Sequence, residues 1–215
     1  MKKTVTALCL LVFGVYPQSL TETFTWAESE NYETTYDIEE EETKSMIKYY
    51  YGVRNLIDLV TVIELVSDLF PASNKQVTEF ALWGTVCAET LGGTYRDKTP
   101  ESHGVGLTQI DKIAFDDIKA RTRDKNKELI KEVLEIDINK VRHSELSRNP
   151  LLAVLFARLH YMLIPDPFPD NLEGMAEYWK QHYNRSGKGT PEKFIERCKE
   201  SFNLFEKEAK WLKYA

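Results

Sequence analysis

The stretch Phe80-Ala81-Leu82-Trp83-Gly84-Thr85-Val86-Cys87-Ala88-Glu89-Thr90-Leu91-Gly92-Gly93 is followed, after a polar segment, by His103-Gly104-Val105-Gly106-Leu107-Thr108-Gln109-Ile110. Val77, Phe80, Gly84, Cys87 or Ala88, and Leu91 recur at helical spacing on one face. The paired Gly92 and Gly93 then supply a stop at no side-chain cost. The spacing predicts a helix that begins near Asn74 and holds Glu89 in its last turn. A carboxylate there meets the negative end of the helix and an apolar wall, and both effects raise its pKa. A carboxyl kept partly protonated near neutral pH is what a general acid requires. Taken alone, a Glu near a helix end is more often simply solvated.

Outward from this stretch the pattern stays helical. Upstream, Ile47, Tyr50, Val53, Ile57, Val60, Ile63 and Leu65 predict one long helix over 45–70, broken by Pro71 before the Glu89 helix. Downstream, a short helix runs from Lys112 to Arg121. A charged amphipathic one covers 124–141, with Leu129, Ile130, Val133, Leu134 and Ile138 inward. Asn149-Pro150 is a cap followed by proline at the first helical position. The helix it opens, Leu151 to Leu163, is apolar nearly all round and therefore belongs at the buried centre of a helical body. Two further helices cover 171–183 and the chain from Thr190-Pro191 onward.

The joint between those last two reads Trp179-Lys180-Gln181-His182-Tyr183-Asn184. An aromatic hydroxyl and a carboxamide at a helix end can orient a polar ligand, although Asn also serves as an ordinary C-cap. Gly187-Lys188-Gly189-Thr190 is no phosphate loop, because His182 stands where its first glycine is required. His103, His143, His160 and His182 lack a zinc-binding frame, and Ser102–His103 is a weak nucleophile–base pair.

Together, Glu89-Thr90, Gly104-Val105-Gly106-Leu107-Thr108-Gln109-Ile110 and Tyr183-Asn184 resemble the lysozyme-like lytic transglycosylases and goose-type lysozymes. In that superfamily a Glu at a helix end is followed by Gly-Leu-Met-Gln-Ile/Val and then by Ala-Tyr-Asn-Ala-Gly. Here Thr108 replaces the Met, and Thr90 replaces the Ser that often follows the Glu. The resemblance covers residues 75–190. It implies a mainly α, lysozyme-like α+β fold over 45–215, a helical bundle around a buried central helix. A small β-element between Gly92 and Ile110 is expected beside the cleft.

The same resemblance implies cleavage of the MurNAc-β-1,4-GlcNAc bond of peptidoglycan glycan strands, with Glu89 as general acid/base and 1,6-anhydro-MurNAc ends as product. Gln109, Tyr183 and Asn184 would position substrate, and Gly104 and Gly106 would let the backbone approach the sugar. Asp111, directly after Gln109-Ile110, would place water in a hydrolytic, goose-type alternative. A further alternative is a non-catalytic glycan-binding or structural protein. No metal and no organic cofactor is called for. A bacterial exported enzyme, periplasmic or extracellular, and a phage-associated cell-wall enzyme both fit.

Composition sets the outer limits. The 215 residues suffice for one domain with appendages, and the formal net charge is −6. Residues 1–19 place Lys2 and Lys3 before the apolar Thr4 to Tyr16, the layout of a signal peptide or an apolar N-terminal segment. Residues 20–44 form an acidic arm with nine acids and no base between 20 and 43, a linker or a contact for a basic partner. Residues 44–215 are close to neutral, with no basic patch to argue for nucleic acid. Cys9, Cys87 and Cys198 follow no zinc spacing. Cys87 and Cys198 read as small buried apolar residues, with a single disulfide as the alternative.

Overall fold

Two helices, both buried on almost every side, carry the core of the computed structural model. The structure describes residues 47–70, 74–97, 104–185 and 188–211. The chain divides at Ile47/Lys48 into two units, and every helix and strand among the described residues lies in the second. The signal-peptide, acidic-arm and Ser102–His103 readings fall outside the described residues.

Among the described residues the protein is mainly helical with one small sheet. Helices α1 (Leu56–Leu69) and α2 (Lys75–Thr90) precede a hairpin of β1 (Gly104–Val105) and β2 (Ile110–Asp111). The two strands are antiparallel, with Gly104 opposite Asp111 and Val105 opposite Ile110. Then come α3 (Lys112–Arg121), α4 (Asp124–Leu134), a 3-10 turn (His143–Ser147), α5 (Pro150–Tyr161), α6 (Leu172–His182) and α7 (Pro191–Trp211). No helix among the described residues is long and apolar enough to cross a membrane.

Helix α5 is the expected buried centre. Asn149 caps it by accepting the Leu152 N–H at 3.1 Å, and Pro150 occupies the first position. Leu152 to Leu159 and Tyr161 are buried, and Phe156 stacks on Phe115 of α3 with ring centroids 4.6 Å apart. Each such fully buried apolar side chain stabilises the fold by about 1.5–3 kcal/mol. Helices α1, α2 and α3 all pack against α5.

Helix α2 is buried more completely than an amphipathic stripe implies. It lies among α1, α5, α6 and α7, so its threonines have no water to bond. Thr78 and Thr85 solve this by donating to the carbonyls of Asn74 and Ala81, one turn back, and the Thr90 hydroxyl has the Val86 carbonyl within reach. Gly84 admits the Phe194 ring of α7, which any side chain at that position would strike. Cys87 and Cys198 are free and buried, as small apolar residues at this same seam.

Three boundaries differ from the sequence-based expectation. The first helix begins at Leu56 rather than near Ser45, because Tyr51 and Gly52 adopt φ of 59° and 82° and Asn55 caps the Asp58 N–H. Gly52 turns there against the Arg148 carbonyl, a close approach only glycine allows. The charged helix stops at Leu134, not at 141, because Glu135 adopts φ 58°; Val133 is exposed, while Ile138 is buried from the following irregular segment. Finally, the residue that ends α2 is Leu91, at φ 49°, with Gly92 and Gly93 continuing at 68° and 85°. A left-handed leucine costs of order 1 kcal/mol or more and persists only where its surroundings hold it.

Candidate active site

Glu89 lies in the last turn of α2, next to Leu91 and its two glycines. Its Oε1 accepts the Trp179 indole N–H from α6 at 3.1 Å, and the Asn184 carboxamide also hydrogen-bonds the carboxyl. Burial pushes its pKa up from 4.5 to about 7, against the opposing pull of these two donors and of the Arg197 guanidinium. The residue itself is half-buried. Protein crowds the carboxyl enough to strip its hydration, which disfavours the charged form.

Of the two effects expected to raise this pKa, burial operates. The helix-end effect meets an answer from α7: the Arg197 Nη1 donates to the carbonyls of Ala88 and Glu89 at 2.9 and 3.3 Å. A cation at a helix C-terminus offsets the partial negative charge there.

The sequence segments singled out for Glu89, Gln109 and Tyr183-Asn184 converge. Thr90 donates its hydroxyl to the Leu107 carbonyl at 2.7 Å, tying the end of α2 to the turn between β1 and β2. Tyr183 donates to the next carbonyl, that of Thr108, also at 2.7 Å. Burial and the nearby Glu89 push the Tyr183 hydroxyl well above its ordinary pKa, so it stays a donor. Thr108 in turn donates to Ala153 of α5 at 2.9 Å, and His143 bonds the Ile110 carbonyl at 2.7 Å. The turn is thereby fixed to α2, α5 and the segment after α6.

Within that turn, Gln109 sits at φ 48° and its side-chain amide closes on the Gly106 carbonyl at 2.7 Å. The space left by the missing side chains of Gly104 and Gly106, assigned from the sequence to a sugar, is filled by the protein itself. A Cβ on Gly104 would strike the Gln109 backbone, and one on Gly106 the Leu146 carbonyl. Asp111 caps α3, its Oδ1 accepting the Ala114 N–H at 2.7 Å. One carboxylate oxygen is therefore committed to the fold.

Two residues at the site had no role assigned from the sequence. Trp179 stands one turn before Tyr183 on α6, so helical spacing already placed both on one face. Its ring is held against Phe194 with centroids 5.3 Å apart and against Gly189, where any side chain would collide with the indole. Arg197 had no signal, because nothing in its neighbourhood in sequence points toward Glu89. Asn184 retains one unusual feature: its Oδ1 is buried without a hydrogen-bond partner. Among the described residues no group of three or more His, Cys, Asp or Glu side chains is placed to hold a metal ion. Comparison with known proteins returns no matching family model, no matching curated protein and no matching solved structure.

Proposed function

We propose that this chain is a lysozyme-like, peptidoglycan-cleaving lytic transglycosylase in which Glu89 is the general acid/base. The observation that carries the proposal is the Glu89 carboxyl itself: desolvated, pushed up to about 7, and held by neutral indole and carboxamide donors rather than by an ion pair. Such a group gives up a proton at neutral pH and takes one back, as a one-carboxylate mechanism requires. In that mechanism Glu89 protonates the glycosidic oxygen as the MurNAc-β-1,4-GlcNAc bond breaks. As carboxylate it then accepts the proton of the C6 hydroxyl of the muramic acid, closing a 1,6-anhydro ring.

The Asn184 carboxamide hydrogen-bonds the Glu89 carboxyl and so orients it, while Tyr183 and Gln109 hold the turn beside them. The hydrolytic alternative would use Asp111 to place water, and its free oxygen would have to do so while the other caps α3. The cell wall as substrate implies export or a phage-borne route to it.

The test is the clearing of purified sacculi. The parent protein is expected to lower their turbidity, Glu89→Gln to leave them intact while still binding, and muropeptide masses to show anhydro ends. Hydrated ends would assign the hydrolytic chemistry instead. Undiminished clearing by Glu89→Gln would overturn the role given to Glu89.

A further inference from the structure

The chain around Tyr95 is built more tightly than an exposed loop needs. After Glu89, three consecutive residues (Leu91, Gly92 and Gly93) take left-handed backbone angles. The turn they make brings the Tyr95 N–H back to the Thr90 carbonyl at 2.9 Å, and Thr94 donates its hydroxyl to the Leu91 carbonyl at 2.7 Å. Gly92 lies under the Phe205 ring, and Gly93 bonds its N–H to Thr90. Of the three, Leu91 is strained, and such strain is kept where the surroundings hold it.

Here the next side chain of any size is the Tyr95 ring, and that residue is 45% exposed. The Arg197 guanidinium lies 5.2 Å from its centroid. The same guanidinium bonds the Ala88 and Glu89 carbonyls and pulls on the Glu89 carboxyl. Arg197 therefore spans from the Tyr95 ring to the candidate acid. A single exposed aromatic is ordinary on a protein surface. One that is fixed at its backbone, backed by a cation and joined through that cation to a desolvated carboxyl is a prepared surface. An aromatic ring offers a flat apolar face, and so does the C–H face of a pyranose ring.

We propose that Tyr95, mounted on Arg197, is a stacking wall for a pyranose ring of the glycan strand bound across Glu89. The proposal rests on the glycan-cleaving reading of Glu89 and adds a specificity-determining residue to it. Tyr95 acts on binding: the wall holds one sugar of the strand, and Glu89 acts on the bond to the next.

The experiment measures binding of the full chain to purified sacculi and to a tetrasaccharide of β-1,4-linked N-acetylglucosamine. It uses the Glu89→Gln background, where no turnover intervenes. Tyr95→Ala is expected to weaken binding roughly five- to ten-fold, the size of an aromatic stacking contact. Tyr95→Phe keeps the ring and is expected to bind as its parent does, and Tyr95→Trp to bind at least as well. With Glu89 restored, Tyr95→Ala raises KM by a similar factor and leaves kcat within about twofold of the parent's. Unchanged binding by Tyr95→Ala, or equal losses in Tyr95→Ala and Tyr95→Phe, would overturn the wall. Failure of the reading of Glu89 looks different: glycan is bound with the Tyr95 dependence intact, but sacculi are never cut. A parent that binds no glycan overturns both.

Discussion

Helix α2 carries two buried-side glutamates, Glu79 near its start and Glu89 near its end, and only one of them has the makings of an acid. Burial raises the pKa of both. Glu79 is 8% exposed, but Lys75 sits one turn back with its Nζ 3.6 Å from Oε1, and also pairs with Asp68. That cation pulls the Glu79 pKa down again, while Glu64 and Asp68 push it up. Glu89 meets instead an indole N–H and a carboxamide, with Arg197 held mostly to backbone carbonyls. Neutral donors fix the carboxyl in space while leaving its proton negotiable; an ion pair fixes the charge. Desolvation alone therefore does not make a general acid, and the chemistry of the partner decides.

The largest separation between the two is expected in activity. Glu89→Gln should lower the rate of sacculus clearing by about 10²–10⁴-fold, the contribution of positioned acid–base catalysis, whereas Glu79→Gln should stay within about twofold. Equal losses would break the comparison. In the parent, the proton-donating form of Glu89 is depleted above its pKa, so the rate should fall on an alkaline limb near pH 7.

A second separation needs no substrate. Below the ordinary value of 4.5, folded and unfolded chains both hold the Glu89 proton, and the group contributes nothing to stability. Between 4.5 and about 7 the folded protein keeps a proton that the unfolded chain has released, so stability falls as pH rises. Above that window the loss is complete, at most about 3 kcal/mol. Glu89→Gln removes the penalty. Urea midpoints should therefore match the parent at pH 4 and exceed it at pH 8, by about 1–3 kcal/mol in stability. Glu79→Gln should gain less, because Lys75 is left with only Asp68.

The elements that were legible in the sequence are those set by local chemistry. Asn149 and Thr190 cap their helices as the proline after each implied, and Asn74 and Asn171, expected only as helix starts, also cap; each accepts a backbone N–H from the first turn. The all-round apolar run of α5 marked the core because a helix without a polar face has nowhere else to go. The segments around Glu89, Gln109 and Asn184 were legible as pieces. Their joints were not: Thr90 to Leu107 and Tyr183 to Thr108 are long-range pairings of ordinary hydroxyls with ordinary carbonyls. Gly52 and Gly106 answer to tertiary crowding that no window of sequence displays, and Arg197 reaches Glu89 only because α7 packs on α2.

Trp179 tests how finely Glu89 is held. Trp179→Phe keeps an aromatic ring between Phe194 and Gly189 but removes the indole N–H. That donor favours the charged carboxylate, so its loss should raise the Glu89 pKa further. The alkaline limb of the pH–rate profile should move up by about half to one unit, with the maximal rate reduced about ten-fold by loss of alignment. A limb that moved down would mean that the indole acts through packing rather than through its hydrogen bond.

The smallest effect sharpens the contrast between the two ends of α2, since each glutamate has a threonine beside it. Thr78 spends its hydroxyl on its own helix, at 3.3 Å from the Asn74 carbonyl. Thr90 has two acceptors within reach, Val86 at 3.1 Å and Leu107 at 2.7 Å, but one proton to give. The shorter contact is the one that joins α2 to the turn. Thr78→Val leaves a helical carbonyl that is already bonded and should cost only a few tenths of a kcal/mol. Thr90→Val strands the buried Leu107 carbonyl and should cost about 1–2 kcal/mol in urea denaturation. Thr90→Ser restores the donor and most of that loss. If the turn is what sets the walls around Glu89, Thr90→Val also lowers the rate of sacculus clearing several-fold while Thr78→Val does not. Equal behaviour of the two valine variants would mean that the turn is held by Tyr183 and Thr108 alone.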